Sequence, residues 1–346
     1  MRMLSLAVAL IAFPVLADDK AKPNTLTPKE IAEGWILLFD GETTFGWASE
    51  GNAKVADGVL MLGGSKATTL TANTDLGRGS HLAFAYCVDG AKWGESWLGA
   101  NLPEPIIENV KREQSLKGDG TIRANLRDDG RVVFVVPSGE TLHLRSFRAR
   151  PLDAKSLFNG KDLTGWKEFK PAKDKKVASK FTVTKEGWIN VKDGPGDLQT
   201  EGQWADFVGQ FECISNGKHL NSGLFFRCIP GQYQQGYEAQ IRNQWEGDDR
   251  TKPVDFGTGA IYRRQKARKV VSTDGEWFTM TVAAHGRHIA TWVNGYQVTD
   301  WTDDRKEDDN ARNGFKKGKG ALSIQGHDPT TDLSFRNIRI QSLDPK

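Results

Sequence analysis

The chain has 346 residues, enough for two domains that each bury a core of their own, so folding needs neither metal nor disulfide staples. Its 47 lysines and arginines are interleaved with 44 acids for a net charge of +3, which leaves no basic face to follow a phosphate backbone and excludes nucleic acid as an expected partner. The three cysteines, Cys87, Cys213 and Cys228, have no zinc-site spacing and read as small apolar strand residues, although a hairpin could set Cys213 opposite Cys228.

Taken in chain order, "MRMLSLAVALIAFPVLADDK" has an arginine, an apolar run from Leu4 to Leu16 and small residues before a pair of aspartates, the pattern of a signal peptide cut after Ala17. The run contains Pro14 and is shorter than the roughly 20 residues a spanning helix needs. No later segment has the length and apolarity to cross a bilayer, so the expected mature protein is exported, periplasmic or extracellular, with no transmembrane segment. Residues 18–33 read as an N-terminal linker in which Thr27, Pro28 and Glu30 mark a short helix start.

Beyond the linker the chain begins one unit twice. "LLFDGETTFGW" (Leu37 to Trp47) and "SLFNGKDLTGW" (Ser156 to Trp166) agree in Leu-Phe-acid/amide-Gly and in Gly-Trp at identical spacing. "ADGVLML" then matches "KEGWINV", "HLAFAYCVDG" matches "GQFECISNG", and "DDGRVVFVVPSGE" is set against "AHGRHIATWVNGY". The first copy, residues 34–152, has no counterpart of "GYEAQIRNQW" or "ALSIQGHD" and is the shorter, degenerate one. The second occupies residues 153–346, with Pro151 at the boundary.

Short runs rich in aromatic and β-branched residues, separated by Gly, Asn and Asp turn signals, fill both copies. Strands without intervening helices predict an all-β chain of two antiparallel β-sandwiches in tandem. In "GYEAQIRN", Tyr237, Ala239 and Ile241 share one face of the predicted strand and Glu238, Gln240 and Arg242 the other. If these strands are neighbours in one sheet, the same alternation in "SGLFFRC" and "ALSIQGHD" puts Arg227, Gln325 and His327 beside Glu238 and Gln240, on one polar face. A merely solvated face also carries such residues. Long acids and amides are disfavoured in strands, however, and "GQYQQGYEAQIRNQW" is dense in amides and flanked by Tyr233, Trp245 and Tyr262, a mixture that suits sugar hydroxyls and pyranose faces.

"SLFNGKDLTGW", "GDLQTEGQWADFVGQFEC", "NSGLFFR", "GYEAQI", "GTGAIY", "GEWFTMTVAAHGRHIATWVNG" and "SFRNIRI" together resemble the 3-keto-disaccharide hydrolase domain family, a former domain of unknown function with a concanavalin A-like jelly-roll fold. The resemblance spans nearly all of residues 153–343, and the first copy is similar only in part. It implies an exported bacterial enzyme that acts on an oxidised (3-keto) glucoside or disaccharide.

Ordinary glycoside hydrolysis needs two carboxylates flanking the bond, and "YEAQIRN" offers one. A C3 ketone acidifies the hydrogen at C2 and places the glycosidic oxygen β to the resulting carbanion, so one base and one enolate stabiliser suffice for elimination, followed by hydration. The expected assignment has Glu238 as base, Arg227 or His327 stabilising charge at the C3 oxygen, Asn221 and Gln240 orienting hydroxyls, and Gln325, Tyr233, Trp245 and Tyr262 completing the substrate site. No cofactor is evident. A divalent metal on His327, Asp328 and Glu238 would be chemically reasonable, but no spacing supports it. His285 and His288 flank a hairpin turn and read as surface residues, and "TDDRKEDDNARNGFKKGKG" (Thr302 to Gly320) as a charged, exposed loop. The alternative is a non-catalytic, lectin-like carbohydrate-binding protein, and a scaffold that uses the sandwich for protein contacts is a further one.

Overall fold

The computed structural model of the chain describes residues 22–77, 80–98, 113–117, 121–127, 130–151, 154–169 and 178–344. The expected leader, residues 1–17, lies outside the described residues. The helix start predicted at Thr27 is a one-and-a-half-turn helix, Pro28–Glu33: the Thr27 hydroxyl accepts from the Glu30 amide while the Glu30 carboxylate accepts from the Thr27 amide, and Gly34 closes the end at φ 90°.

Apart from a single 3-10 turn, Val254–Phe256, the other regular elements among the described residues are strands, nearly all of them in two sandwiches of antiparallel sheets. In the first, the sheet ordered Ala53–Ala56, Val59–Gly63, Thr141–Pro151, Ser80–Val88, Gly94–Leu98, with Ile36–Leu37 added to Thr141–Pro151, faces the sheet ordered Trp47–Glu50, Thr68–Ala72, Val132–Val136, Arg123–Leu126, Glu113–Ser115. In the second, Lys180–Val183, Ile189–Lys192, Asp332–Ser342, Phe207–Ser215, Phe278–His285, His288–Val293 and Tyr296–Thr302 form the larger sheet, joined by Lys155–Ser156 on Asp332–Ser342. Its smaller sheet is ordered Trp166–Phe169, Gly196–Trp204, Gly320–Gly326, Ser222–Cys228, Tyr237–Ile241. Leu198, Leu224, Ala239 and Ile324 on that sheet pack against Phe211, Val282 and Phe335 on its partner to make the core.

The physical reason for the repeated motif is visible in both sandwiches. Asp40 Oδ1 accepts from the amides of Glu42 and Thr43, and Asn159 Oδ1 from those of Lys161 and Asp162, so the acid or amide closes a side-chain turn. The tryptophan that ends each motif buries its ring and donates its indole N–H to the carbonyl nine residues earlier: Trp47 to Leu38 at 2.6 Å, Trp166 to Leu157 at 2.8 Å. Gly46 and Gly165, just before each tryptophan, hold φ at 85° and 86°, a conformation that glycine adopts without strain.

One of the expected correspondences is corrected. Val132–Val136 of "DDGRVVFVVPSGE" does not match the hairpin of "AHGRHIATWVNGY", which belongs to the larger sheet; it occupies the central position that Gly320–Gly326 holds in the second sandwich. The first copy therefore does have a strand in the place of "ALSIQG", with Val133 and Val135 where the second has Ser323 and Gln325.

The sandwiches meet through the outer face of the second one's larger sheet. Val208, Ala283, Ala290 and Trp292 point away from their own core into the cluster of Leu60, Leu82 and Phe147. The indole of Trp292 donates to the Leu37 carbonyl, Arg268 pairs with Asp40 at 2.7 Å, and Asn73 donates to Asp300. His285 lies between Asp75 and Asp206, and His288 contacts Asp300, so these histidines are part of the contact between sandwiches and not a free surface turn. The polar sheet of the second sandwich is the other layer, away from these contacts. Cys87, Cys213 and Cys228 are buried and unpaired.

Candidate active site

Strand register places the polar residues in rows. Across the smaller sheet Gln199 pairs with Ser323, Ser323 with Phe225 and Phe225 with Glu238; in the flanking row Asp197 pairs with Gln325, and Gly223 with Gln240. Leu198, Leu224, Ala239 and Ile324 alternate with them into the core, so period-2 alternation turns the whole polar set to one side. Gly223 leaves room for the acid: a Cβ there would stand 2.8 Å from Glu238 Oε1.

This face is buried, unlike a solvated one. Glu238 is 4% exposed, because three segments fold across the sheet. The first, Gly231 to Gln235, is held by the Gly231 amide donating to Gln199 Oε1, by Gln199 Nε2 donating to the Gln232 carbonyl, and by the Gln234 amide donating to Asp197 Oδ2. The second, from Asp255 to Gln265, runs along the edge strand, with the Tyr262 amide donating to the Glu238 carbonyl and Gln240 and Asn221 donating to the Asp255 carboxylate. The third is the charged segment after Thr302. It is exposed along much of its length, as expected, but anchored from within: Asp303 is fully buried, and Arg305 binds it through both nitrogens at 2.8 Å while also donating to the carbonyls of Ala311 and Gly314.

That third segment delivers Arg312. Its Nε donates to the Gln234 carbonyl at 2.8 Å, its guanidinium lies over the Phe225 ring, and a terminal nitrogen meets Glu238 Oε2 at 3.3 Å. Together these segments enclose a cavity of about 390 Å³ lined by Asn221, Gln234, Gln235, Glu238, Tyr262, Arg263, Arg312, Gln325 and His327, within the usual size range for small-molecule sites. Among the described residues, Glu238 is the one carboxylate in that lining. Asn221 Oδ1 and Gln325 Oε1 are buried acceptors without a protein donor, a cost that hydroxyl donors entering the cavity would offset.

Burial pushes the Glu238 carboxyl up to about 7, against the lowering effect of Arg312 and with a smaller push from Asp255 and Asp197. Asp197, fully buried beneath the loop, is also pushed up by burial to about 7 despite its bond from the Gln234 amide. Next to the cavity, His327 Nδ1 meets Asp328 Oδ2 at 2.7 Å and its Nε2 is 3.3 Å from Asn221 Nδ2, a pairing that assigns the proton to Nδ1. Among the described residues no cluster of three or more His, Cys, Asp or Glu is arranged to hold a metal.

Of the residues singled out from sequence, Glu238, Asn221, Gln325, His327 and Tyr262 line the cavity. Gln240 lies beneath it, bonded to Asp255. Tyr233 sits beside Gln325 and Asp197, its hydroxyl accepting from Gln234 Nε2, and burial raises its phenol. Two residues are elsewhere. Arg227 is fully buried on the other side of the sheet, where it donates to the carbonyls of Ala205, Gly286 and Lys316 and pairs with Asp206 at 3.1 Å. A β-bulge between Phe225 and Cys228, with Arg227 at φ 49°, reverses the alternation there. Trp245 belongs to a separate hairpin, Trp245–Glu246 with Asp249–Pro253, and carries the Arg250 guanidinium 4.1 Å over its ring.

Asp197 and Arg312 were missed by sequence reasoning. The alternation of "GDLQTEGQW" does put Asp197 and Gln199 opposite Leu198, a usable signal. Nothing local marks Arg312, whose role depends on how its segment folds back.

Compared with known proteins, residues 153–341 match the profile of the 3-keto-alpha-glucoside-1,2-lyase-like domain. A Parabacteroides distasonis protein assigned provisionally to the glycosyl hydrolases is 23% identical at TM-score 0.44, with 55% of this chain and 94% of that chain aligned. The carbohydrate-binding module CBM66 of Bacillus subtilis is 15% identical at TM-score 0.38 (51% and 96%), and the Bacillus licheniformis β-glucanase is 12% identical at 0.38 (55% and 98%). No curated protein matches.

Proposed function

The chain belongs to the 3-keto-alpha-glucoside-1,2-lyase-like domain family, and on that premise we propose that the second sandwich cleaves 3-keto-glycosides by elimination and hydration. The observation that carries the reading is a single carboxylate, Glu238, raised to about 7 and lying at the wall of a polar cavity against Arg312. Direct hydrolysis needs a second carboxylate across the bond. Asp197 does not supply it, being fully buried and absent from the cavity lining.

In the proposed sequence Glu238, ionised, takes the C2 proton, and the electron pair of that bond becomes the C2–C3 enolate. Arg312, in the role expected of Arg227, faces the charge that develops on the C3 oxygen. The enolate then reforms the ketone while a C1–C2 double bond forms and the C1–oxygen bond breaks, and the aglycone oxygen takes up the proton that Glu238 holds. Water adds across the unsaturated ketone to complete the cleavage. Asn221, Gln325 and His327 orient hydroxyls, and Tyr262 closes one wall. A base near 7 is suited to this step at neutral pH, where a carboxyl at its ordinary value would be too weak.

Export on the leader expected at residues 1–17 would put this chemistry outside the cytoplasm, and mass analysis of the mature N-terminus tests it. The enzymatic reading is tested by incubating the protein with matched 3-keto and unmodified glucosides. Release of aglycone from the keto form alone, with exchange of the C2 hydrogen, is the expected result. Binding of both without turnover would replace this reading with the lectin-like one.

A further inference from the structure

A second cavity, of about 380 Å³, adjoins the first and shares Glu238, Tyr262, Arg263 and Arg312 with it. Its remaining lining differs in kind. Where the first cavity has amides and a histidine, this one has Arg264, Asn313 and the apolar surfaces of Ile261 and Ala311. Three guanidinium groups thus border it, against one carboxylate, Glu238, that already pairs with Arg312.

The other two arginines have no such neutralisation. Arg264 donates to the carbonyls of Arg312 and Arg263, neutral acceptors that fix its direction without cancelling its charge. Arg263 lies with its guanidinium over the Tyr262 ring, and among the described residues neither ion-pairs with a carboxylate. Burial, together with the positive charges of Arg305 and Arg312, holds Arg264 below its ordinary value despite the opposing charge of Asp303, as expected for a cation short of counter-charge. The turn that presents them is rigidly placed: the Ile261 amide donates to the Gln265 carbonyl and the Tyr262 amide to that of Glu238, which ties Arg263 and Arg264 to the strand of the proposed base.

Given the elimination reading above, on which this inference rests, the sugar belongs in the amide-lined cavity and the leaving group in the arginine-lined one, with Glu238 at their junction. We propose that the second cavity is an aglycone subsite selecting leaving groups that carry an oxyanion, a carboxylate or a sulfate. Forked guanidinium donors match the planar or trigonal oxygens of such groups, and charge-assisted bonds of this kind distinguish an anion from its neutral isostere.

The test uses 3-keto-glucosides of 4-carboxyphenol, 4-sulfooxyphenol and the neutral 4-carbamoylphenol with the intact protein. A kcat/KM ratio of about ten or more in favour of either anion, falling with added salt and reduced to within about two-fold by Arg263→Gln or Arg264→Gln, is expected. Arg264→Lys, which keeps charge but not the fork, should retain part of the preference. Turnover with equal rates for charged and neutral aglycones would overturn the subsite and leave the elimination reading intact. A parallel binding arm titrates the unoxidised glucosides by calorimetry. Anion preference there without turnover of any keto form would refute elimination while supporting the charged subsite, and equal or undetectable binding of all three together with no turnover preference would refute the subsite.

Discussion

The two smaller sheets occupy equivalent positions in their sandwiches and differ in what they turn outward. With Trp47 paired to Ala72 and Trp166 paired to Thr200, the outward residues Thr69, Thr71, Val133 and Val135 of the first copy correspond to Asp197, Gln199, Ser323 and Gln325 of the second. Short β-branched side chains satisfy strand propensity and need no partners. Acids and amides in the same places need donors and acceptors, and the second copy supplies them from the segments around Gln234, Asp255 and Arg312. The same scaffold therefore carries, among the described residues, a row of short β-branched side chains in one copy and a covered, partly desolvated cavity in the other. Function resides in the side chains and the covering loops rather than in the sandwich.

This contrast can be broken most severely at the acid. Glu238→Gln should lower aglycone release from a 3-keto-glucoside by about 10²–10⁴-fold, the usual contribution of a general base, with the circular dichroism spectrum unchanged. Val135→Gln on the outward face of the first copy should leave the rate within two-fold, roughly the noise of the assay, since it changes an exposed side chain in the sandwich that does not hold Glu238. Near-normal turnover by the Glu238 variant would remove the distinction between the copies altogether.

A smaller effect is expected at Gly223. An added methyl would stand 2.8 Å from Glu238 Oε1, so Gly223→Ala should displace the carboxylate and reduce kcat by about 10–100-fold, the scale expected for an ångström of misplacement. Steady-state kinetics beside a thermal melt separates this loss from simple unfolding.

The pH dependence follows in size. With Glu238 raised to about 7, kcat/KM should climb as pH rises through that value, because the base must be ionised. Stability should move the other way. A carboxyl raised in the folded state keeps its proton there at pH values where the unfolded chain has lost it, so its contribution is full below about 4.5 and is lost as pH rises through about 7. Relative to the parent protein, Glu238→Gln should therefore gain melting temperature at pH 8 compared with pH 5, and a parallel pH profile for both proteins would contradict the assignment.

The smallest expected change sharpens what the copies share. Trp47→Phe and Trp166→Phe each delete one indole bond to a carbonyl nine residues earlier, and each should cost about 1 kcal/mol in a denaturant titration. Similar losses would support equal structural roles for the two motifs despite their unequal surroundings.

Much of the fold was legible in the chain because its signals are local. The Leu-Phe-acid/amide-Gly and Gly-Trp spacing encodes a side-chain turn and a buried indole, and the alternation of Tyr237 to Ile241 encodes which residues face outward. Alternation failed at Arg227, where one extra residue in the strand reverses the sides, and no composition rule marks such a bulge. The segment containing Arg312 reads as solvated because its charges are dense, yet Asp303 and Arg305 neutralise each other inside it and let it pack.

The sequence alone determined the all-β class, the repeated unit, the family of residues 153–341 and the outward direction of Glu238, since each depends on neighbours within a few residues or on ordered motifs. Only the tertiary structure decided that the outward face is a cavity, that Arg312 rather than Arg227 meets the acid, and that the first sandwich packs on the opposite sheet. Those outcomes turn on which distant segments fold across a sheet and on one inserted residue, and the desolvation that raises Glu238 exists only once they have closed over it.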